Sequence, residues 1–482
     1  MRKASAGFLF LIAFRLLSAG QTLSPGVQAF VKVDAPLIAL THVRVIDGTG
    51  APAREDQTII LSKGKIESVG DSSTASILKD AQVLDLHGYS VIPGLVGMHE
   101  HMFYPAGDAI FHEMPISFPR LYLAGGVTTA RTAGSIEPYM DLALKKQIDD
   151  GKVAGPRMHV TGPYLEGPGS WAPQMTALSD SAEALAAVNF WADRGVDNFK
   201  AYNFISRGTL KVAIDEAHRR GLKVTGHLCS IGFKEAVDLG IDDLEHGLIV
   251  DTEFFSGKKL DQCPDEEAFT QELVKMRVTD APIQETIHYL VAHHVAVTST
   301  LPVFEPFAPD KAPLQRRVLD AMSVEAQNQF LEARVRFDLP RRDRKTEELR
   351  PAPWALAFEQ EKEFERAFVK AGGLLLAGED PTGMGGDLPG FGDQREVELL
   401  VEAGFTPIEA IHIATFNGAQ YLGELDRIGT IAAGKQADLV VIKGDPSKKI
   451  EDIENVETVF KDGVGYDSAK LIESVRGLVG VR

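Results

Sequence analysis

The sequence predicts an α/β fold, a (β/α)8 barrel joined to a small β-sandwich domain built from both chain ends. Three observations support this class. Strand–helix–strand units recur through the middle of the chain, eight candidate strands can be counted there, and β-branched runs broken by glycine stand on either side. Successive βα units imply a parallel sheet, and eight of them are typical of a closed barrel.

The first 20 residues have the pattern of a signal peptide. Arg2 and Lys3 precede the apolar run "GFLFLIAF" (7–14), and small residues follow in "LSAGQ" (17–21). Arg15 interrupts the run, and an uncleaved N-terminal anchor is the alternative. From this pattern we expect an exported protein, periplasmic or secreted. Because Gln21 stands where a lipid-anchored protein has cysteine, we expect no lipid anchor.

The β-rich ends predict one composite domain. Short runs that end in Gly or Asp-Gly fill 37–50, 57–70 and 81–94, and a similar texture returns in 429–446 and 456–466. We therefore expect a β-sandwich formed by residues 35–94 and 425–482, with the barrel in residues 95–424.

The barrel strands are predicted from apolar runs that follow amphipathic helices. In "TLKVAIDEAHRRGLKVTGHL" (209–228), apolar residues at helical spacing lead to a basic last turn, a glycine and a buried strand. The same order occurs in 181–203 and 231–248. The eight predicted strands are 94–102, 126–132, 157–163, 196–202, 222–227, 242–247, 295–300 and 373–379.

Composition excludes several classes of partner. A hydrophobic content of 44% and a charged content of 24% are those of a soluble globular protein. The formal net charge of −18 argues against nucleic acid or an anionic membrane surface as a partner. No apolar stretch is long enough for a stable membrane span. Two cysteines give no disulfide framework, although a single bridge stays open.

A pair of histidines, His99 and His101, stands at the end of the first barrel strand in "GLVGMHEHMF". With thirteen histidines in 482 residues, about a third of one His-x-His pair is expected by chance, so the pair alone is weak. Alternate residues of a strand share a face, so both imidazoles can point into one barrel mouth.

Four more polar residues end other predicted barrel strands: Lys200, His227, His246 and Asp380. Singly, each has an ordinary interpretation, such as a hydrogen-bonded core histidine, an edge lysine or a turn aspartate. Together with His99 and His101 they occupy the same end of five strands, where the active site of such a barrel lies. The set therefore predicts a metal centre.

These residues and their surroundings resemble the amidohydrolase superfamily of metal-dependent hydrolases. The matching motifs are "PGLVGMHEHM", "GVTTAR" (126–131), "FKAY", "GH", "EHG" and "GED", followed by the C-terminal "GTIAAGKQADLVVI". The resemblance covers roughly residues 37–465. Within the superfamily it is similar to the branch of imidazolonepropionase-like enzymes, enamidases and Xaa-Pro or Xaa-Arg dipeptidases.

The resemblance implies a centre of two divalent metal ions, most often zinc, in a TIM barrel. By motif position, one ion is held by His99, His101 and Asp380 and the other by His227 and His246, with Lys200 bridging both as a carbamate formed with carbon dioxide. It implies hydrolysis of a C–N amide bond in a dipeptide, N-acyl amino acid or cyclic amide by water activated between the ions. Asp380 would act as the catalytic base and then acid.

Two positions depart from the family pattern. Gly97 stands where members usually carry an acidic residue, with Glu100 between the two histidines instead, and Thr132 replaces an aspartate. These changes leave the ligand set intact and bear on the hydrogen bonds around it. For substrate contacts we expect Tyr202 and Arg131, with a rim tyrosine and an acid-paired arginine as the alternatives.

Two other functions stay open at this point. A deaminase of the same superfamily would use one metal ion and would need no lysine at position 200. A metal-binding or solute-binding protein without turnover would need no base at position 380. The partner we expect is a small-molecule amide or dipeptide; the number of subunits, including a homo-oligomer, is left open.

Overall fold

The computed structural model describes residues 22–308, 311, 313–338 and 353–480. The predicted signal peptide at residues 1–20 lies outside these residues. Among the described residues, no helix combines the length and the apolar character that crossing a bilayer requires.

The strands form three groups along the chain. The N-terminal group is β1 (Val31–Val33), β2 (Leu37–Val45), β3 (Arg54–Ser62), β4 (Lys65–Asp71), β5 (Gln82–Asp85) and β6 (Tyr89–Pro93). The middle group is β7 (Leu95–Glu100), β8 (Phe103–Pro105), β9 (Phe111–Glu113), β10 (Val127–Thr132), β11 (Arg157–His159), β12 (Asn198–Ala201), β13 (Lys223–Gly226), β14 (Asp243–Glu245), β15 (Ala296–Ser299) and β16 (Leu375–Ala377). The C-terminal group is β17 (Leu439–Lys443), β18 (Val456–Lys461) and β19 (Val464–Asp467).

The helices occur mainly between the strands of the middle group. The helices that precede β15 are α1 (Pro25–Gln28), α2 (Ser117–Gly125), α3 (Pro138–Asp149), α4 (Ser181–Ala192), α5 (Arg207–Arg219), α6 (Phe233–Leu239), α7 (Glu266–Leu273) and α8 (Ala281–Ala292). The later ones are α9 (Leu301–Phe304), α10 (Arg316–Ala321), α11 (Val324–Asp338), α12 (Pro353–Lys370), α13 (Phe391–Glu402), α14 (Pro407–His412), α15 (Gly418–Leu422) and α16 (Ser468–Glu473).

Eight parallel strands, β7 and β10 to β16, form the TIM-barrel-type part of the fold, and each lies within a strand that the sequence predicts. In the described residues they divide into a three-stranded sheet, β11-β10-β7, and a five-stranded sheet, β12-β13-β14-β15-β16. A parallel bridge between Thr161 and Asn198 joins the two sheets on one side. On the other side the amide of Asp380 donates to the carbonyl of His99 at 3.0 Å. These two contacts link the sheets at both pairs of neighbouring edges.

Helix α5 shows why the local sequence produces these units. The Ser206 side chain accepts a hydrogen bond from the amide of Thr209 and caps the helix N-terminus. Leu210, Ala213 and Ala217 are buried, at a spacing that places them on one face. After the last turn Gly221 has a φ of 74°, which lets the chain reverse into β13.

Strands from both chain ends share one nine-stranded sheet. Its order is β1-β19-β18-β17-β6-β2-β3-β4, with β5 paired to β2. The N-terminal and C-terminal parts meet where β6 pairs antiparallel with β17, opposite Val91 and Val441. Leu40, Ile59 and Leu439 are buried in the apolar core of this sheet. The composite origin of the sheet agrees with the sequence analysis, whereas the two layers of a sandwich and the domain limits stay predictions.

Register brings the carboxyl ends of the barrel strands to one level. Gly226 of β13 pairs with Leu244 of β14, which pairs with Val297 of β15, and Val297 pairs with Leu375 of β16. The residues that follow these positions emerge together at one rim. This rim is where the polar residues singled out by the sequence are found.

Candidate metal centre

Four histidines, a lysine and an aspartate converge at the carboxyl rim of the barrel. Asp380 is at the middle of the group: its carboxylate oxygens lie 3.5 Å from Nε2 of His99 and 3.4 Å from Nε2 of His101. Nε2 of His246 lies 3.9 Å from the same carboxylate. Nζ of Lys200 lies 3.0 Å from Nε2 of His99. Five predicted residues are therefore within a few ångströms of one another.

The sixth residue, His227, lies on the solvent-facing side of the group. Its ring centroid is 4.4 Å from that of His246 and 4.9 Å from that of Tyr202. His227 is half-buried, whereas His99 and Lys200 are almost completely buried. The structure thus brings together all six residues that the sequence predicts as ligands.

Hydrogen bonds at Nδ1 orient three of the histidines. Nδ1 of His99 donates to Glu245 at 2.7 Å, and Nδ1 of His101 donates to the Gly134 carbonyl at 3.2 Å. Nδ1 of His246 contacts the Thr300 hydroxyl at 2.6 Å. Each contact leaves Nε2 facing the centre, which is the usual arrangement of a metal-binding histidine and its outer partner.

Two residues of the group have an unusual backbone conformation. His246 has a φ of 69° and Asp380 a φ of 54°, both in the left-handed region that residues other than glycine rarely adopt. His246 directly follows β14, and Asp380 is the third residue after β16. The conformation turns each chain sharply at the rim, and such strain is concentrated at functional sites.

Burial and neighbouring charges set the protonation of the group. Burial, and then the charge of Lys200, lowers the pKa of His99 well below its ordinary value, and burial also lowers the pKa of His101 and His246. Burial opposes ionisation of Asp380, but the neighbouring histidines outweigh it and lower the pKa of the carboxyl. Neutral imidazoles and an ionised carboxylate are the forms that bind metal ions.

The donor set fits divalent metal ions. Ligand atoms of His99, His246 and Asp380 lie within 4.8 Å of one another. Nε2 of His246 is a buried polar atom without a hydrogen-bond partner among the described residues. Imidazole nitrogens with a carboxylate oxygen are a donor set typical of zinc.

Arg131 lies beneath the centre and not in the cavity. Its guanidinium is 1% exposed and binds Asp243 and Glu245, each at 2.8 Å. Nε also donates to the Met98 carbonyl at 2.7 Å. The donors of the guanidinium face protein acceptors. The geometry therefore favours the alternative interpretation, an arginine paired with acids, over the predicted substrate contact of Arg131.

A cavity of about 1840 Å³ opens above the centre. Lys200, His227 and Asp380 contribute to its floor, and Tyr202 stands in its wall beside Tyr164, with the two ring centroids 4.9 Å apart. The cavity therefore contains the predicted substrate contact Tyr202. Trp171 also lines the cavity, as the sequence of the 162–171 loop predicts, and Phe111, Phe304 and Trp354 are further aromatic residues of its walls.

A disulfide bond is part of the cavity wall. Cys229 and Cys263 are joined, with their Cα atoms 4.9 Å apart, and both line the cavity. Cys229 follows two residues after His227, and Cys263 lies in the long insert after β14. The bridge ties this insert, which carries α7, to the rim.

Sequence reasoning missed two residues that hold the histidines in place, Glu245 and Thr300. Glu245 could have been found, because a glutamate inside the predicted barrel strand 242–247 needs a polar partner when it is buried. Thr300 gave no signal, since its contact with His246 joins residues 54 positions apart.

The structure accounts for the two departures from the family pattern. A Cβ atom at Gly97 would overlap the Glu100 carboxylate, so Glu100 fills the space beside position 97. Oγ1 of Thr132 accepts the amide of Thr161 at 2.9 Å, which links β10 to the segment after β11. Both residues thus act in the wall of the barrel.

Comparisons with known proteins give a family match and matches to curated relatives. The amidohydrolase family model matches residues 90–464. The enamidase of Eubacterium barkeri is 33% identical over 129 residues, which cover 24% of this chain and 32% of the enamidase. The imidazolonepropionase of Idiomarina loihiensis is 36% identical over 63 residues, which cover 13% of this chain and 15% of that relative. The matched segments thus span about a third or less of these relatives.

Solved structures show the same fold over most of the chain. A Xaa-Pro dipeptidase with bound methionine in its active site has a TM-score of 0.64 at 20% identity, over 89% of this chain and 100% of that one. A bottromycin amidohydrolase has a TM-score of 0.68 at 20% identity, over 94% of each chain. At this level of identity the likeness concerns the fold.

Proposed function

The chain belongs to the amidohydrolase family, and from this premise we propose that it is a binuclear metal-dependent hydrolase that cleaves a C–N amide bond in a small molecule. The observation that carries the proposal is the convergence on Asp380 of the imidazoles of His99, His101 and His246 at 3.4–3.9 Å. A centre of this composition at the carboxyl rim of a barrel is where such chemistry is performed.

By motif position, as the family resemblance implies, the ligands divide into two groups. His99, His101 and Asp380 would hold the more buried ion, and His227 with His246 the outer one. When bound, the two divalent cations, with zinc the first choice for these donors, would supply a nucleophile from water at neutral pH and polarise the amide carbonyl. The ring of His227, 4.4 Å from that of His246, adds a nitrogen donor beyond the group around Asp380, which supports a second ion.

Lys200 is the residue that argues for two ions. Burial lowers the pKa of its ammonium group, and a neutral amine is the form that reacts with carbon dioxide. A carbamate at Nζ, 3.0 Å from Nε2 of His99, would offer two oxygen donors. A deaminase with a single ion has no use for this lysine, so its place in the centre favours the hydrolase.

Asp380 would transfer the proton from the attacking water to the leaving nitrogen. Its carboxylate is ionised because the histidines around it lower its pKa, and it is 8% exposed at the floor of the cavity. From there it can accept a proton from attacking water and return the proton to the leaving nitrogen. A protein that only binds a metal or solute does not need a base in this place.

The size and walls of the cavity suit an amide substrate that carries a bulky apolar group. Its volume of about 1840 Å³ exceeds the roughly 300–1,000 Å³ typical of small-molecule sites. Phe111, Trp171, Phe304 and Trp354 contribute large aromatic surfaces to its walls. An N-acyl amino acid or a dipeptide with an aromatic or long aliphatic group fits such walls better than a small polar dipeptide.

Export from the cytoplasm belongs to the same proposal. The signal-like pattern of residues 1–20 has support from the Cys229–Cys263 bond, because disulfides persist in oxidising compartments. Expression of the full chain, with the N-terminus of the product determined, tests it: cleavage near residue 20 supports export.

Metal content and turnover test the hydrolase. Two metal ions per chain are expected, together with release of an amine or amino acid from members of an N-acyl amino acid and dipeptide library. A chelator should abolish this activity, and added zinc should restore it. One ion per chain with ammonia release would replace the proposal by a deaminase, and full metal content without turnover of any amide would replace it by a binding protein.

A further inference from the structure

A second group of carboxylates lies behind the candidate metal centre. Oxygens of Glu100, Glu379 and Asp393 lie within 4.8 Å of one another, and all three residues are buried. Glu100 is in β7 between His99 and His101, so its side chain points to the opposite face of the strand. The group is thus separated from the histidines by the barrel wall.

These carboxylates have few partners of opposite charge or donor character. Both oxygens of Glu379 are buried without a hydrogen-bond partner among the described residues, and the donor that faces the buried Glu100 carboxylate is the Tyr122 hydroxyl. Asp393 accepts the amide of Gly390 at 2.9 Å. Burying a carboxylate without a partner costs several kcal/mol, so three of them in contact require either bound protons or a cation.

A fourth carboxylate points to the same place. Asp387 is 8% exposed, and its Oδ2 is buried without a partner in the described residues. A Cβ atom at Gly392 would overlap both Oδ1 of Asp387 and Oε2 of Glu379, so these two oxygens approach one another across the space that this glycine leaves. Gly97 leaves similar room for Glu100. Two glycines therefore make the space into which the carboxylates converge.

We propose that Glu100, Glu379, Asp387 and Asp393 bind one structural calcium ion, distinct from the ions of the hydrolytic centre. The donors are oxygens only, which hard cations prefer over zinc. Ca²⁺ takes six to eight oxygen ligands and accepts several carboxylates, whereas Mg²⁺ keeps several waters and is usually held by one or two carboxylates. Four converging carboxylates therefore favour Ca²⁺.

The calcium ion would link the segments of the chain that carry the ligands of the hydrolytic centre. Glu100 stands between His99 and His101, Glu379 precedes Asp380, and Asp393 is in the first turn of α13. A cation shared by these carboxylates cross-links the first and last barrel strands. It would also neutralise the negative charge next to the hydrolytic centre.

Calcium binding to the full chain, loaded with zinc, tests the proposal. Equilibrium dialysis with radioactive Ca²⁺ should give one ion per chain in wild type, with the zinc content measured on the same sample. Asp393→Asn should lower the affinity for Ca²⁺ at least tenfold and leave the zinc content unchanged. Glu396→Gln is the matched control, because Glu396 is buried on the same helix and accepts the amide of Leu301; it should bind Ca²⁺ like wild type.

Asp393 also caps α13, so a second variant protects the test against misfolding. Asp387→Asn removes a carboxylate without a capping role and should also lower Ca²⁺ affinity. Wild-type protein that binds no Ca²⁺, or variants that bind it unchanged, would overturn the proposal in favour of shared protons. Since the readout is Ca²⁺ and not hydrolysis, calcium binding without amide turnover would contradict only the proposed function.

Discussion

Glu245 accepts a hydrogen bond from Nδ1 of His99 at 2.7 Å, and through this contact a buried ionic group supports the candidate metal centre. The other oxygen of Glu245 accepts from Arg131 at 2.8 Å, and Thr225 donates to the same oxygen. Position and charge of His99 are therefore linked to side chains that no substrate touches.

Replacement of Glu245 by glutamine should weaken metal binding. Loss of the charged acceptor frees the His99 ring and lowers its basicity, and changes of this kind typically cost roughly 10- to 100-fold in metal affinity. A competition titration with a zinc indicator measures the change. Asp242→Asn is the control, because Asp242 lies at the opposite end of β14 from Glu245 and its carboxylate accepts the amide of Val224. Equal zinc affinities in Glu245→Gln and wild type would contradict a positioning role.

Replacement of Arg131 by methionine should destabilise the fold. The change leaves Asp243 and Glu245 buried without their cation, and removing one partner of a buried ion pair costs about 3–5 kcal/mol. Urea unfolding followed by circular dichroism measures the loss. A substrate-binding arginine would behave otherwise, with a raised KM at unchanged stability, and that result would restore the role expected from sequence.

Replacement of Asp380 by asparagine should abolish most of the turnover while metal remains bound. The amide oxygen can still serve as a ligand, but it cannot accept the proton, and general base catalysis contributes roughly 10²–10⁴-fold. The measurement is kcat at saturating zinc, with metal content determined on the same sample. Asp426→Asn, at an exposed site, should keep full activity. A metal-replete Asp380→Asn protein with near-normal kcat would end the assignment.

Glu166 should make stability depend on pH. Burial raises the pKa of this carboxyl to about 7, against the opposing effect of the Phe204 and Gly167 amides that it accepts. Below its unfolded pKa both states are protonated and there is no penalty. As pH rises from about 4.5 to 7 the unfolded state releases its proton while the folded state keeps it, which lowers the free energy of unfolding by about 3 kcal/mol.

Glu166→Gln should lack this component of the pH dependence. The amide oxygen keeps both backbone hydrogen bonds, and no ionisation follows. The variant should therefore gain stability relative to wild type as pH rises through this window. Thermal unfolding of both proteins at pH 4.5, 6 and 8 checks the sign. A difference in Tm that is constant across the three pH values would contradict the raised pKa.

Loss of the Cys229–Cys263 bond should loosen the insert that carries α7. The bond joins residues 34 positions apart, and closing a loop of that length stabilises by up to about 4 kcal/mol. Cys263→Ser should lower the free energy of unfolding by up to that amount. Wild type in reductant should match the variant, and the variant should not respond to reductant. A wild-type protein indifferent to reduction would exclude a stabilising bridge.

Periodicity made the barrel predictable, since each βα unit carries its own signal. The run from Leu210 to Ala217 buries one helical face, and the strand after Gly221 follows directly. The metal centre was predictable for a related reason. Parallel strands end at a common rim, so residues at or just beyond the carboxyl ends of strands far apart in sequence, such as His99 and Asp380, meet there.

Contacts between distant side chains were not predictable. Arg131 is a polar residue within β10, and its sequence context does not reveal that Asp243 and Glu245 bind it. The convergence of Asp387 on Glu379 likewise depends on how α13 packs against the barrel. Such contacts follow from tertiary packing and not from local pattern.

The sheet shared by both chain ends has a consequence for biosynthesis. Val91 pairs with Val441, so a ribosome that adds roughly 5–20 residues per second completes this pairing about 20–70 seconds after the first strand emerges. Throughout that interval the edge of β6 presents unpaired amides and carbonyls beside an apolar face. We expect nascent chains arrested before residue 439 to aggregate unless a chaperone covers this edge.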